Sequence, residues 1–194
     1  KSFVSKIDTH QFLEDIKKLQ DRQYYPTSIY NLSFIGTSDK YAYTKTGGEL
    51  FVSEGKTEKE SLKLSDLNGE LSSFAGIQFV SNDEFAFVSW KSHAIFRYNM
   101  KSKHLKKICE LKENAENLEV DLKNGCAAYT VDGNVWYSCP DKSPVQLTKE
   151  GGKGITYGMA VHRNEFGIEK GFFLSDNGKK LAFYRMDETM VKEY

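Results

Sequence analysis

The residue of this sequence best suited to do chemistry is a glutamate near the C-terminal end. Glu165 lies in a polar segment that contains glycine, residues 162–167. A carboxylate in such a turn can accept hydrogen bonds and pair with an ammonium group. From the residues alone, a solvated loop glutamate is the simpler interpretation, because charged side chains are mostly exposed. Its significance therefore depends on the elements that position it.

No second set of catalytic residues accompanies this glutamate. The sequence has no G-x-S-x-G segment, the turn that carries the nucleophile of α/β-hydrolases. No group of His, Cys, Asp or Glu has metal-ligand spacing, and the glycines around Gly154 miss the dinucleotide-binding pattern. We expect no cofactor, no metal site and no catalysis by this chain alone. Surface or structural roles are expected for His10, His93, His104 and His162.

Four copies of a strand–turn–strand pattern occupy most of the chain. Each copy has a small residue followed by an aromatic one, and these pairs begin at Ala42, Ala86, Ala128 and Ala182. Further strand-like runs follow the first three copies, which gives about four short strands per ~40–50 residues. This pattern is typical of β-propeller blades, in which an alanine lets crowded strands approach. We predict an all-β fold, a partial β-propeller of about four blades. A β-sandwich with similar hairpins is the alternative.

A short helix is predicted before the repeats. Apolar residues recur at helical spacing over positions 12–19, and Asp8 can cap the first turn. We therefore divide the chain into a helical segment, 1–25, and propeller blades, 26–194. The last repeat interval is longer than the others by roughly ten residues, which predicts an insertion at 149–170. Such insertions lie on the surface of a propeller and often carry its function.

The composition gives the chain no net charge at neutral pH. Lys+Arg and Asp+Glu number 27 each, so no net field attracts nucleic acid or an anionic membrane. The sequence has no apolar run of about 18 residues, so no membrane span is predicted. The three cysteines form no C-x-x-C motif, and we expect isolated buried or half-buried thiols.

The last repeat has motifs specific enough to indicate a family. The insertion at 162–168 is followed by Gly-Phe-Phe-Leu-Ser at 171–175 and by Leu-Ala-Phe-Tyr-Arg-Met-Asp-Glu at 181–188. This stretch, 161–194, resembles the N-terminal β-propeller domain of the dipeptidyl peptidase IV and prolyl tripeptidyl aminopeptidase family, in its bacterial branch. The resemblance implies a propeller that lies over an α/β-hydrolase domain. It also implies that a glutamate of the insertion, here Glu165, holds the α-ammonium of a peptide substrate.

The resemblance leaves the product length open. Fixing the peptide N-terminus sets how many residues precede the cut bond. Some members carry two adjacent glutamates, whereas here Asn164 precedes a lone Glu165, so release of a dipeptide or a tripeptide is not decided. Arg163 and Asn164 are candidate neighbours of Glu165 in the site.

Two functions follow as expectations. In the first, the chain is the non-catalytic first half of the propeller of a serine exopeptidase. Its partners are then the peptide N-terminus, the rest of the propeller and the hydrolase domain. In the second, it is a free-standing protein- or peptide-binding module, and two copies pair to cover the open ends. A structural propeller unrelated to the family is a third interpretation. The resemblance implies a location in the periplasm or at the cell surface.

Overall fold

The computed structural model describes residues 9–21, 23, 28–45, 48–160, 167 and 169–191. These residues form one α-helix followed by strands β1–β16, which pair into short antiparallel sheets. The helix α1 (Thr9–Gln20) confirms the prediction of a short helix before the repeats. Its apolar side chains are exposed, with Phe12 at 54% and Leu13 at 64%. The predicted cap, Asp8, lies outside the described residues.

Three four-stranded sheets follow the helix, and the strands cross each sheet in chain order. The first sheet comprises β1 (Ile29–Phe34), β2 (Lys40–Lys45), β3 (Glu49–Glu54) and β4 (Thr57–Lys63). The second comprises β5 (Gln78–Phe79), β6 (Glu84–Ser89), β7 (Ala94–Asn99) and β8 (His104–Glu110). The third comprises β9 (Glu116–Asp121), β10 (Cys126–Val131), β11 (Asn134–Ser138) and β12 (Val145–Gln146). Each is the four-stranded meander of a propeller blade.

The fourth repeat forms two short ribbons. Its strands are β13 (Ile155–Tyr157), β14 (Phe172–Leu174), β15 (Leu181–Phe183) and β16 (Arg185–Asp187). β13 pairs with β16, and β14 pairs with β15. Three complete sheets and this fourth unit confirm the all-β partial propeller of about four blades. The division at residues 1–25 and 26–194 stays a prediction. Within the predicted 149–170 insertion, the structure has the strand β13.

Three apolar clusters hold successive sheets together. The first lies between sheets one and two, the second between sheets two and three, and the third between sheet three and the fourth repeat. Fully buried members of the three clusters are, in this order, Leu50 and Phe85, then Ile95 and Tyr129, then Val135 and Phe172. The core is thus a series of layers between blades, as expected for a repeat fold.

The repeat alanines lie on corresponding strands of the four repeats. Ala42, Ala86 and Ala128 lie on the second strand of their sheets and are at most 1% exposed. Ala182 lies on the corresponding strand β15 but is exposed. The first three alanines are buried against neighbouring groups, whereas the outer face of the fourth repeat has no sheet packed on it among the described residues.

Candidate functional site

The insertion leaves the fourth repeat from the middle of a strand. Tyr184 joins β15 to β16, and its backbone bonds to two residues that are distant in sequence. The Gly158 N–H donates to the Tyr184 carbonyl at 3.0 Å, and the Tyr184 N–H donates to the Gly171 carbonyl at 3.1 Å. Therefore β13 and β14 are two halves of one interrupted strand, and both halves pair with 181–187. Residues 159–170, which we call the excursion, leave this strand and return to it.

The base of the excursion is closed by backbone pairing. Met159 and Lys170 form an antiparallel bridge, so the outgoing and returning chains run side by side. A Cβ atom on Gly171 would lie 2.2 Å from the carbonyl carbon of Gly158. Gly158 has a φ of +67°, and a Cβ there would lie 2.1 Å from the Phe172 ring. Only glycine fits at both positions, because the chains approach too closely for any side chain.

Side chains also tie the returning end of the excursion to the third sheet. The Lys170 ammonium pairs with the Glu119 carboxylate on β9. The same ammonium lies 5.8 Å from the centre of the Phe173 ring. Both partners of the ion pair are partly exposed, so the pair contributes little to stability. On the outgoing side, Ala160 is buried at 3% exposure.

The strand that carries the excursion is held by the third apolar cluster. Phe172 is 1% exposed and packs with Phe183, the ring centres being 6.1 Å apart. Tyr157, on the other half of the interrupted strand, meets the same Phe183 ring edge-on at 5.8 Å. β14 also contacts β9 and β10 of the third sheet. Both halves of the strand are therefore fixed by packing, which gives the excursion a rigid base.

The predicted site residues themselves, Arg163, Asn164 and Glu165, lie outside the described residues. Of the segment that contains them, the structure describes Gly167 and Glu169, both exposed, and the two ends. The geometry therefore defines where the excursion starts and ends.

The other candidate residues of the sequence do not assemble a site in the described part of the chain. His93 is half-buried in the turn between β6 and β7, and His10 and His104 are exposed, whereas His162 lies outside the described residues. No three His, Cys, Asp or Glu side chains are grouped to hold a metal within 9–21, 28–45, 48–160 and 169–191. Among the described helices, none has the length and apolarity to cross a membrane.

One charged cluster was not anticipated, along β16. Arg185 bonds the Asp187 carboxylate at 3.0 Å and lies 3.7 Å from that of Glu150. The Thr189 hydroxyl and N–H both donate to Asp187, and together with Arg185 they lower the pKa of that carboxyl. Because these groups satisfy one another, they form a polar end to the sheet. The contacts of Asp187 with Arg185 and Thr189 are local in sequence, whereas the contact of Arg185 with Glu150 joins residues that are distant in sequence.

Comparison with known proteins assigns the family. The family described as "Dipeptidyl peptidase IV (DPP IV) N-terminal region" matches residues 81–194, more than half of the chain. This chain belongs to that family. The matched range includes the excursion and extends upstream through the third sheet into the second. The resemblance drawn from 161–194 is thus confirmed over a much longer segment.

Solved structures of peptidases of this type share the fold. A dipeptidyl aminopeptidase IV structure from Bacteroides ovatus ATCC 8483 is 31% identical, covers 87% of this chain and has a TM-score of 0.63. Dipeptidyl peptidase 4 of Porphyromonas gingivalis is 17% identical over 92% of the chain, with a TM-score of 0.51. The curated protein named "Probable dipeptidyl-aminopeptidase B", from Metarhizium robertsii, is 35% identical over 88 residues. The chain spans only 24%, 28% and 10% of these three proteins.

Proposed function

We propose that this chain is the N-terminal propeller portion of a dipeptidyl peptidase IV-like serine exopeptidase and that it recognises the free N-terminus of the peptide. The observation that supports this is the excursion, 159–170. The excursion interrupts a strand whose two halves remain packed and paired. The fourth repeat therefore keeps its strand pairing without the residues of the excursion. An addition of this kind is free to serve binding. The relatives reported above are, by their names, dipeptidyl peptidases or dipeptidyl aminopeptidases.

Glu165 is the residue that we assign to the peptide amine. Its carboxylate pairs with the α-ammonium, and Asn164 and Arg163 are its neighbours in the binding site. A charge-assisted hydrogen bond of this kind contributes about 1.5–3 kcal/mol. Holding the amine at a fixed place also sets the distance from the N-terminus to the bond that is cut.

The test is a comparison of two peptides that differ only at the amine. Binding of an Xaa-Pro peptide with a free N-terminus and of its N-acetylated form is measured on the protein encoded by the complete reading frame. Acetylation removes the positive charge, so we expect it to weaken binding about tenfold or more. In the Glu165→Gln variant the two peptides should bind equally.

Glu169→Gln is the matched control, because it removes a carboxylate from the same excursion at an exposed position. This variant should retain the preference for the free amine. Equal affinity of the unmodified protein for both peptides would remove Glu165 as the amine-binding residue. By the same resemblance, we place the protein in the periplasm or at the cell surface.

A binding module that pairs with a second copy is the alternative function, and the exposed outer faces of the array favour it. On the fourth repeat, Phe173 and Tyr184 pack edge to face and are 41% and 44% exposed. On the first strand, Phe34 is 73% exposed. Apolar faces of this kind normally have a partner. A strictly monomeric mass by light scattering at high micromolar concentration would contradict pairing.

A further inference from the structure

The β10–β11 hairpin brings two of the three cysteines opposite each other. Its two-residue turn has positive φ at both positions, +49° at Asp132 and +74° at Gly133, and Val131 pairs with Asn134. The last paired residues of the ladder are Ala127 and Ser138, so Cys126 and Cys139 are the next pair.

The two strands still lie side by side beyond this pair. A Cβ atom on Gly125 would lie 3.5 Å from Cγ of Pro140, the residue that follows Cys139. Residues before a proline also favour an extended backbone, which continues the strand through Cys139.

Hydrogen bonding shows which kind of pair the two cysteines form. The Val135 N–H donates to the Thr148 hydroxyl at 2.9 Å, and the Val135 carbonyl accepts from the Leu147 N–H at 2.7 Å. Both groups therefore point away from β10, so Val135 and its partner Thr130 are a non-hydrogen-bonded pair. Pairs of this type alternate along an antiparallel ladder. Non-hydrogen-bonded pairs therefore recur at Tyr137 and again at Cys139, so Cys126 and Cys139 are also a pair of this type.

Non-hydrogen-bonded pairs are the closer of the two types. Their Cα atoms are about 4.5 Å apart and their side chains approach each other. Disulfides join residues whose Cα atoms are about 4.4–6.8 Å apart. Cys126 and Cys139 thus meet the backbone requirement without movement of either strand.

The third cysteine lies on the other side of the sheet. Cys126 and Cys139 share the face of Ala128, which packs toward the fourth repeat, and Gly178 lies close to the Cys126 sulfur. Cys109 packs in the second apolar cluster, against the opposite face of the third sheet. Burial raises the pKa of the Cys109 thiol to about 12 and raises that of Cys126 as well, so the half-buried Cys139 is the cysteine that a small disulfide reaches first.

We propose that Cys126 and Cys139 are a modification site, which a small-molecule disulfide such as oxidised glutathione converts to a cystine. The half-buried Cys139, as thiolate, attacks one glutathione sulfur and releases the other glutathione as thiolate. Cys126, after loss of its proton, then attacks the Cys139 sulfur and releases the second glutathione. The two protein thiols lose two protons and two electrons, and one oxidised glutathione becomes two reduced molecules. The product closes the open end of the hairpin, beside the fourth repeat.

The test is oxidation of the folded protein followed by peptide mapping. Oxidised glutathione should give a single product that lacks two hydrogen atoms, with the link between Cys126 and Cys139 and with Cys109 as free thiol. The same treatment in concentrated guanidinium chloride should give a mixture of pairings, because no register then selects one pair. Cys109→Ala should leave the native link unchanged, and Cys139→Ser should abolish it.

Three results would overturn the proposal. One is persistence of both thiols in the folded protein at an oxidant concentration that links the unfolded chain. Another is a native link that includes Cys109. The third is a glutathione adduct that stays on Cys139 without exchange to Cys126.

Discussion

Two glycines make the excursion possible, because they let one strand stop and resume at the same place. Replacing Gly171 by alanine would put a methyl group 2.2 Å from the Gly158 backbone. Overpacking of this kind costs about 1–3 kcal/mol, so we expect Gly171→Ala to lower the free energy of unfolding by that amount. Urea denaturation measures it. The control is Gly76→Ala, since a Cβ at Gly76 meets nothing within 4 Å. Equal stability of the two variants would contradict the close approach.

The buried thiol of Cys109 links stability to alkaline pH. Burial raises its folded-state pKa from 9.0 to about 12, so the folded protein holds a proton that the unfolded chain loses first. The stabilisation is complete below pH 9 and is lost as the pH rises toward 12. We expect the unfolding free energy of Cys109→Ala to fall less steeply over this range than that of the unmodified protein. The two slopes should differ by at most about 1.4 kcal/mol per pH unit.

The comparison needs a control for the cavity that the alanine leaves. Ile95 is the cross-strand partner of Cys109 and is fully buried in the same cluster, so Ile95→Val alters packing without altering charge. Its pH profile should be displaced from that of the unmodified protein but parallel to it. A parallel profile for Cys109→Ala as well would show that the thiol is not linked to the alkaline transition.

At the scale of elements, the interrupted strand is fixed to the third sheet by one face only. Phe172 is 1% exposed within the third cluster, and its neighbour Phe173 is 41% exposed on the opposite face. Phe172→Ala should therefore lower the free energy of unfolding by about 3–5 kcal/mol. Phe173→Ala should change it by less than about 1 kcal/mol. Thermal or urea unfolding distinguishes the two variants. Similar losses of unfolding free energy in both would mean that the outer face is covered.

Sequence patterns predict most strands but miss those without apolar alternation. β7 is one of the strand-like runs that follow the repeats, because its apolar residues recur between turn signals. β4 was not predicted: its sequence, Thr-Glu-Lys-Glu-Ser-Leu-Lys, is polar and its side chains are almost all exposed. Pairing with β3 alone makes it a strand. Edge strands of this kind carry charged side chains that prevent further pairing.

The excursion shows a second limit of local patterns. The length of the last repeat interval predicts that something is inserted, and the glycines indicate turns. That β13 and β14 are halves of one strand depends on their common partner, 181–187, and is visible only once the pairing is known. The candidate residue Glu165 came from the family resemblance, since a loop glutamate has no distinguishing local pattern.

At the scale of the whole molecule, the chain is an array of sheets whose two outer faces are exposed. The layers between sheets are well packed, so each blade is supported on the sides where a neighbour is present. The family match and the shared fold with solved peptidases explain the array as a propeller portion. Repeat arrays of this kind tolerate additions at one position, because each unit contacts only its neighbours. The excursion is such an addition.

The most direct test of this account removes the excursion and keeps its base. Residues 161–168 are replaced by Asn-Gly, a two-residue turn that joins Ala160 to Glu169 above the Met159–Lys170 bridge. The measurement is the ratio of dissociation constants for the N-acetylated and the free-amine peptide, on the complete protein. We expect a folded variant in which this ratio falls to about one. A folded variant that keeps the preference for the free amine, or loss of folding on excision, would contradict it.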